Sequence, residues 1–262
     1  MSVIELKNLS KNFGGIKACG NISFQVEKGQ IFGLIGPNGA GKTTIFNLIT
    51  GVYKVSAGEI LFNGKDITNQ RPDKIVHQGI SRTFQNIRLF NKLSVLDNVC
   101  IAVDLHHKYS LAEGFTRFPP TQKKERAIKE KAMTFLAAVG LSDRSSLRAD
   151  ALPYGLQRKL EIARALALNP TLLLLDEPAA GMNPEESLDL AKLIKRLHEQ
   201  YRLTTLLIEH HMDVVMAICE NIFCMNFGEK LAEGTADEIQ VNPDVLKAYL
   251  GEGYKRVKNI KS

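Results

Sequence analysis

Apolar and polar residues alternate strictly through Asn21-Ile22-Ser23-Phe24-Gln25-Val26-Glu27. That period predicts a strand with one buried face. Further on, Glu59-Ile60-Leu61-Phe62 and Lys65-Asp66-Ile67 flank Asn63-Gly64, the signature of a two-residue hairpin turn. Between these lies Ile31-Phe32-Gly33-Leu34-Ile35, continuously apolar, as in a strand buried on both faces. From Leu96 to Leu168 the period becomes helical. Ile128, Ala132, Phe135, Leu136 and Val139 fall on one face, with Lys123, Lys124, Arg126, Lys129 and Lys131 largely elsewhere, a solvated side. His106 to Pro120 reads as a loop, with Gly114, Pro119 and Pro120. The last third returns to buried strands at 171–175 and 204–208, each followed by a helix, over 184–200 and 212–219. Such alternation predicts a mostly parallel sheet covered by helices. A short helix is expected over 244–250, and Lys255 to Ser262 form a basic, loose tail.

Composition narrows the class. The chain has 262 residues, 44% hydrophobic and 24% charged, ordinary for a globular protein and unlike a disordered, collagenous or coiled-coil chain. Its length suits one large domain or two small ones, with a core that needs no staple. It holds no apolar run of about 18 residues, the length of a transmembrane helix. MSVIELKNLS carries polar and acidic residues where a signal peptide needs an apolar stretch. Cys19, Cys100, Cys219 and Cys224 show no C-x-x-C pairing and read as buried thiols in a reducing compartment. The net charge of +6 is compatible with a polyanionic ligand or an anionic surface and selects neither.

The chemistry concentrates after the buried strands. Gly36-Pro37-Asn38-Gly39-Ala40-Gly41-Lys42-Thr43-Thr44 fits G-x-x-x-x-G-K-[ST] between the strand at 31–35 and a helix from Lys42 to Thr50, stopped by Gly51. Triphosphate oxygens are met by backbone N–H groups, so the loop must turn tightly with little side-chain bulk. The helix points its positive end at the phosphates, Lys42 adds a mobile charge, and the Thr43 hydroxyl can ligate Mg²⁺. This arrangement defines a nucleoside triphosphate binder. Leu172 to Leu175 runs into Asp176-Glu177, acids at the end of a buried strand, where open α/β sheets bind ligands. Asp176 is placed to hold Mg²⁺ and Glu177 to polarise an attacking water. His210 follows the next buried strand and can reach a γ-phosphate.

Together these residues resemble the ATP-binding subunit of an ABC transporter, over nearly the whole chain. The resemblance implies that Phe13 stacks on adenine and that Gln85, in Arg82-Thr83-Phe84-Gln85, touches Mg²⁺ and senses the γ-phosphate. It makes Leu152-Pro153-Tyr154-Gly155-Leu156-Gln157 the signature segment, with Tyr154 and Gly155 contacting nucleotide. It makes Ala180-Gly181-Met182-Asn183 the segment that crosses a dimer interface, and His210 the switch histidine. Pro153, Tyr154 and Leu156 depart from the family's serine, glycine and glutamine. Within the family, the segments 81–90, 177–184, 207–210 and 242–251, with the stretch around 106–120, are similar to the longer ATPase of high-affinity branched-chain amino-acid importers.

The implied fold is α/β. A RecA-like ATP-binding core with an N-terminal antiparallel β region spans 1–85 and 158–235. A helical subdomain spans 86–157, and a C-terminal helix and tail 236–262. Implied cofactors are ATP and Mg²⁺. Implied partners are a second ABC ATPase, two integral-membrane permeases and, indirectly, an extracytoplasmic solute-binding protein, at the cytoplasmic face of the membrane and without nucleic acid. The competing readings are a soluble ABC ATPase acting on nucleic acid or ribosomes, and the ATPase of a urea or amide importer or a lipopolysaccharide exporter. Against the soluble form stand the single phosphate loop and the lack of sustained heptads. A GTPase would need N-K-x-D, and Asn91-Lys92-Leu93-Ser94 lacks the aspartate.

Overall fold

The structure, a computed structural model, describes residues 1–105 and 119–250. The chain forms two compact units, one of Met1–Ile80 with the chain from Thr171 onward, the other Ser81–Pro170.

In the first unit, β1 (Ser2–Phe13), β2 (Ile16–Glu27), β4 (Ala57–Phe62) and β5 (Lys65–Asp66) make a sheet in the order β2-β1-β4-β5. All its pairings are antiparallel, and β4–β5 closes on the Asn63-Gly64 turn with Phe62 opposite Lys65. Along β2 the burial alternates through Ile22, Phe24 and Val26, as the sequence period requires. The second sheet is built from β3 (Ile31–Ile35), β7 (Leu172–Asp176), β8 (Thr204–Ile208), β9 (Asn221–Asn226) and β10 (Glu229–Thr235). Their order is β10-β9-β3-β8-β7, with the short strand β6 (Ile80–Arg82) at the edge. The β9-β3-β8-β7 run is parallel and β10 pairs antiparallel on β9. Every residue of β3, β7 and β8 is buried, which is why these strands read as unbroken apolar runs. Between the sheets Phe24 stacks on Phe32 at 5.3 Å and meets Phe223 at 5.0 Å. Helices α1 (Lys42–Ile49) and α2 (Pro72–His77) belong to this unit. So do four later helices, α6 (Pro184–Tyr201), α7 (Met212–Ile218), α8 (Ala236–Val241) and α9 (Pro243–Leu250).

The second unit is helical, with α3 (Val95–Asp104), α4 (Pro119–Ala138) and α5 (Tyr154–Ala167). The α4 face expected to be apolar is buried at Ile128, Ala132, Phe135 and Leu136, with Val139 buried just past its end. One expectation needs correction. Pro119 and Pro120 open α4 instead of closing a loop, because proline fits the first helical turn, whose N–H groups have no intrahelical partner. The rest of the expected loop, 106–118, lies outside the described residues, as does the basic tail. The second unit runs on to Pro170, with α5 packed against α3 and α4 of the same unit.

Candidate nucleotide site

The phosphate loop runs from the end of β3 into α1. Gly36, at φ 148°, sits so close to β9 that a Cβ there would come within 2.2 Å of the Met225 carbonyl. Only glycine fits, and the loop therefore starts from a backbone pressed onto its neighbouring strand. Gly41, at φ 100°, precedes α1, whose first turn carries no acid. Its first-turn N–H groups thus meet no acid from the helix itself. Lys42 is buried, and its ammonium donates to the carbonyl oxygens of Gly36 (2.7 Å) and Pro37 (2.9 Å). Burial lowers its pKa, and the charges of Glu177, Cys224 and Asp176 push it back up. The lysine therefore shares a field with both acids that the sequence singled out. Asn38, Gly39 and Thr43 are exposed, Pro37 and Thr44 half-buried, and Ala40 buried.

Asp176 is the last residue of β7 and is 1% exposed. Glu177 turns the chain sharply, with φ 48°, and its N–H donates to the Ile208 carbonyl at 2.9 Å. The Glu177 carboxylate is hydrogen-bonded to His210 Nε2. Sequence reasoning gave no role to the residue that holds this arrangement. Glu209 is 1% exposed and accepts from Ala179 N (2.7 Å), His210 N (3.0 Å) and His211 N (3.3 Å). One buried carboxylate thus ties the turn after β7 to the turn after β8. The signal was available: Glu209 is an acid closing a buried apolar strand, the same pattern that exposed Asp176. Downstream, Asn183 caps α6 in a reciprocal box with Glu186, at 2.9 and 3.1 Å.

Phe13 ends β1 and is 41% exposed, so it is no core residue. Its ring meets Tyr53 edge-on at 5.1 Å, with Lys11 Nζ 4.8 Å from the centroid. The cysteine expectation holds for Cys19, Cys219 and Cys224, while Cys100 is only half-buried. Burial pushes the Cys219 thiol up to about 12.

Gln85, Tyr154 and Gly155 lie in the second unit, where one unforeseen pair joins them. Arg158 and Glu161 are both 2% exposed and bridge at 3.2 Å. The Arg158 guanidinium donates to the carbonyl oxygens of Phe84 (2.7 Å) and Gln85 and to the Tyr154 hydroxyl (2.9 Å). Glu161 Oε1 accepts from Phe84 N and Arg88 N at 3.4 and 3.3 Å. Burial raises the Glu161 pKa, against lowering by the Arg88 N–H and by Arg158. The glutamine segment is thereby fastened to the first turns of α5, leaving the Gln85 side chain exposed. Helix α5 itself begins on Pro153, which supplies no side-chain cap.

A glycine loop gripping its own lysine, two acids after a buried strand and a histidine bonded to one of them define a nucleotide-hydrolysing cassette. The ABC transporter family profile matches residues 19–180, and a second profile, branched-chain amino acid ATP-binding cassette transporter, matches 229–255. The chain belongs to the ABC transporter family and is an ABC-type ATPase. It is 43% identical over 250 residues to the high-affinity branched-chain amino acid transport ATP-binding protein BraF of Pseudomonas aeruginosa, covering 95% of this chain and 98% of that one. It is 41% identical, with the same coverage, to the LivG protein of that description from Escherichia coli. The crystal structure of the ADP conformation of MJ1267, an ATP-binding cassette of an ABC transporter, superposes with a TM-score of 0.84 at 34% identity. That match covers 96% of this chain and 100% of the other.

Proposed function

We propose that this chain hydrolyses ATP at a dimer interface to drive uptake of branched-chain amino acids through partner permeases, at the cytoplasmic face of the membrane. The observation that carries the reading is the shared field of Lys42, Asp176 and Glu177, with His210 bonded to Glu177. The substrate class rests on the likeness to BraF and LivG across 95% of the chain. No described helix is long and apolar enough to cross a membrane.

Each residue's part follows from its chemistry. Lys42 exchanges the Gly36 and Pro37 carbonyl oxygens for the β- and γ-phosphates. The amides from Asn38 to Thr44 meet the remaining oxygens. Glu177 takes the proton of the attacking water, and His210 holds that carboxylate until the γ-phosphate offers it a second acceptor. Phe13, exposed beside Tyr53, offers a ring face to adenine. Thr43 and Asp176 of the first unit offer oxygen ligands, Gln85 of the second unit carries an amide oxygen of the same kind, and no cluster of three His, Cys, Asp or Glu exists among the described residues. Such a set fits Mg²⁺, which takes few protein oxygens and completes its shell with phosphate and water. Bound there, Mg²⁺ would neutralise charge developing on the phosphates. Tyr154 and Gly155, at the start of α5, cap the ATP of a partner ATPase. With Pro153 in place of a capping residue, that partner is a related but different chain.

The test is a mild-detergent pull-down from native membranes. Two multi-span permeases and a second, smaller ATPase should co-purify. Recovery with ribosomes, with nucleic acid or without membrane proteins would discard the transport reading.

A further inference from the structure

The first residue of the phosphate loop, Gly36, is gripped through both of the peptides that flank it. Its carbonyl accepts from Lys42 Nζ at 2.7 Å. Its N–H donates at 2.7 Å to the hydroxyl of Tyr249, which lies 213 residues away on α9. Tyr249 is half-buried, and burial raises its pKa, so the hydroxyl stays neutral while its oxygen accepts from Gly36. Elsewhere α9 stands off the loop. A cleft of about 610 Å³ lies between Pro37 and Asn38 on one side and Asp244 and Lys247 on the other. The loop's far end is held differently, by the Gly228 N–H donating to the Ala40 carbonyl at 3.1 Å.

We infer that Tyr249 is a positioning residue of the ATP site, which makes the C-terminal helix part of the nucleotide pocket. The argument is one of timing. When Lys42 turns to the phosphates, its bond to the Gly36 carbonyl is given up. The glycine cannot be steadied by side-chain packing, since it has none and is pressed against Met225. The Tyr249 hydroxyl, bonded to the N–H of the Ile35–Gly36 peptide, is then the grip that keeps Gly36 in place, and with it the neighbouring amides that face the ligand. Tyr249 lies within the segment 229–255 that matches the branched-chain cassette profile, so this grip belongs to the chain's subfamily-like portion.

This inference rests on the reading that the loop binds ATP, and the test separates the two. Equilibrium ATP binding and thermal unfolding are measured on the full chain for wild type, Lys42→Ala, Tyr249→Phe and Val245→Ala. The last variant trims a buried α9 residue and leaves the hydroxyl in place. Failure of wild type to bind ATP would remove the underlying reading. With wild type binding, Tyr249→Phe should bind ATP about three- to tenfold more weakly, the loss of one hydrogen bond. Its unfolding temperature should hold and the Gly36 amide should exchange faster with solvent. Val245→Ala should lower the unfolding temperature and keep its ATP affinity. Unchanged affinity in Tyr249→Phe, or affinity falling in step with unfolding temperature in both variants, would reduce Tyr249 to an anchor of its own helix and overturn the inference.

Discussion

Helix α1 starts after a left-handed glycine, with no acid in its first turn and a buried lysine folded back on the loop. Helix α5 starts on Pro153, at φ −53°, with no side chain to cap it and Tyr154 standing exposed beside it. Both are helix N-termini of the kind that bind anions. The first offers backbone N–H groups and the Lys42 ammonium, all from within the chain. The second lacks the hydroxyl and the N–H that a serine at 153 would bring, and keeps its strength further in, at the buried Arg158–Glu161 pair. On the proposed reading, one chain carries a complete catalytic end and a weakened capping end. Two identical copies would duplicate the weakness, whereas a different partner would confine it to one of two ATP sites.

Substitutions at the two helices can break this contrast or sharpen it. The largest effect belongs to the catalytic end. Glu177→Gln should cut turnover by about a thousandfold, the scale of losing a positioned base, while ATP still binds. Phosphate release and gel filtration would show an inert dimer that persists in ATP, and full activity would strip Glu177 of its role. Lys42→Ala should weaken ATP binding by about a hundredfold, as expected for removing a buried charge from a phosphate site. Titration with nucleotide measures it. At the capping end, Arg158→Lys retains the charge and loses the planar fork that spans the Phe84 and Gln85 carbonyls. It should cost about 2 kcal/mol in denaturant unfolding. It should also lower turnover, while ATP affinity at the phosphate loop holds. Pro153→Ser is the smallest and most direct probe. A serine cap should stabilise α5 by about 1 kcal/mol and raise turnover with the partner ATPase about two- to threefold. Unchanged turnover would mean that the contrast between the helices has no functional weight.

What was legible in the sequence was local. Continuous apolar runs marked β3, β7 and β8, the Asn63-Gly64 turn marked its hairpin, and glycine spacing marked the loop, because each is set within a few residues. What was not legible is set by distance along the chain. Arg158 reaches carbonyls 73 and 74 residues back, and Tyr249 reaches a glycine 213 residues away. Nothing near Arg158 distinguishes it from other cations on an amphipathic helix until the fold buries it. Strand β1 was illegible in detail for another reason. Its register with β2 shifts at several points, so no single period runs along it. Pro119 misled because the same residue that ends a helix also starts one.

Glu177 carries a backbone that its own side chain disfavours. A glutamate at φ 48° is held there by the turn, at a cost of about 1–3 kcal/mol. Asparagine accepts that conformation more readily. A chain with asparagine at this position would be sturdier and idle. Selection for durability and selection for work therefore pull in opposite directions at this residue, and a lineage released from the need to hydrolyse ATP would be expected to drift here early.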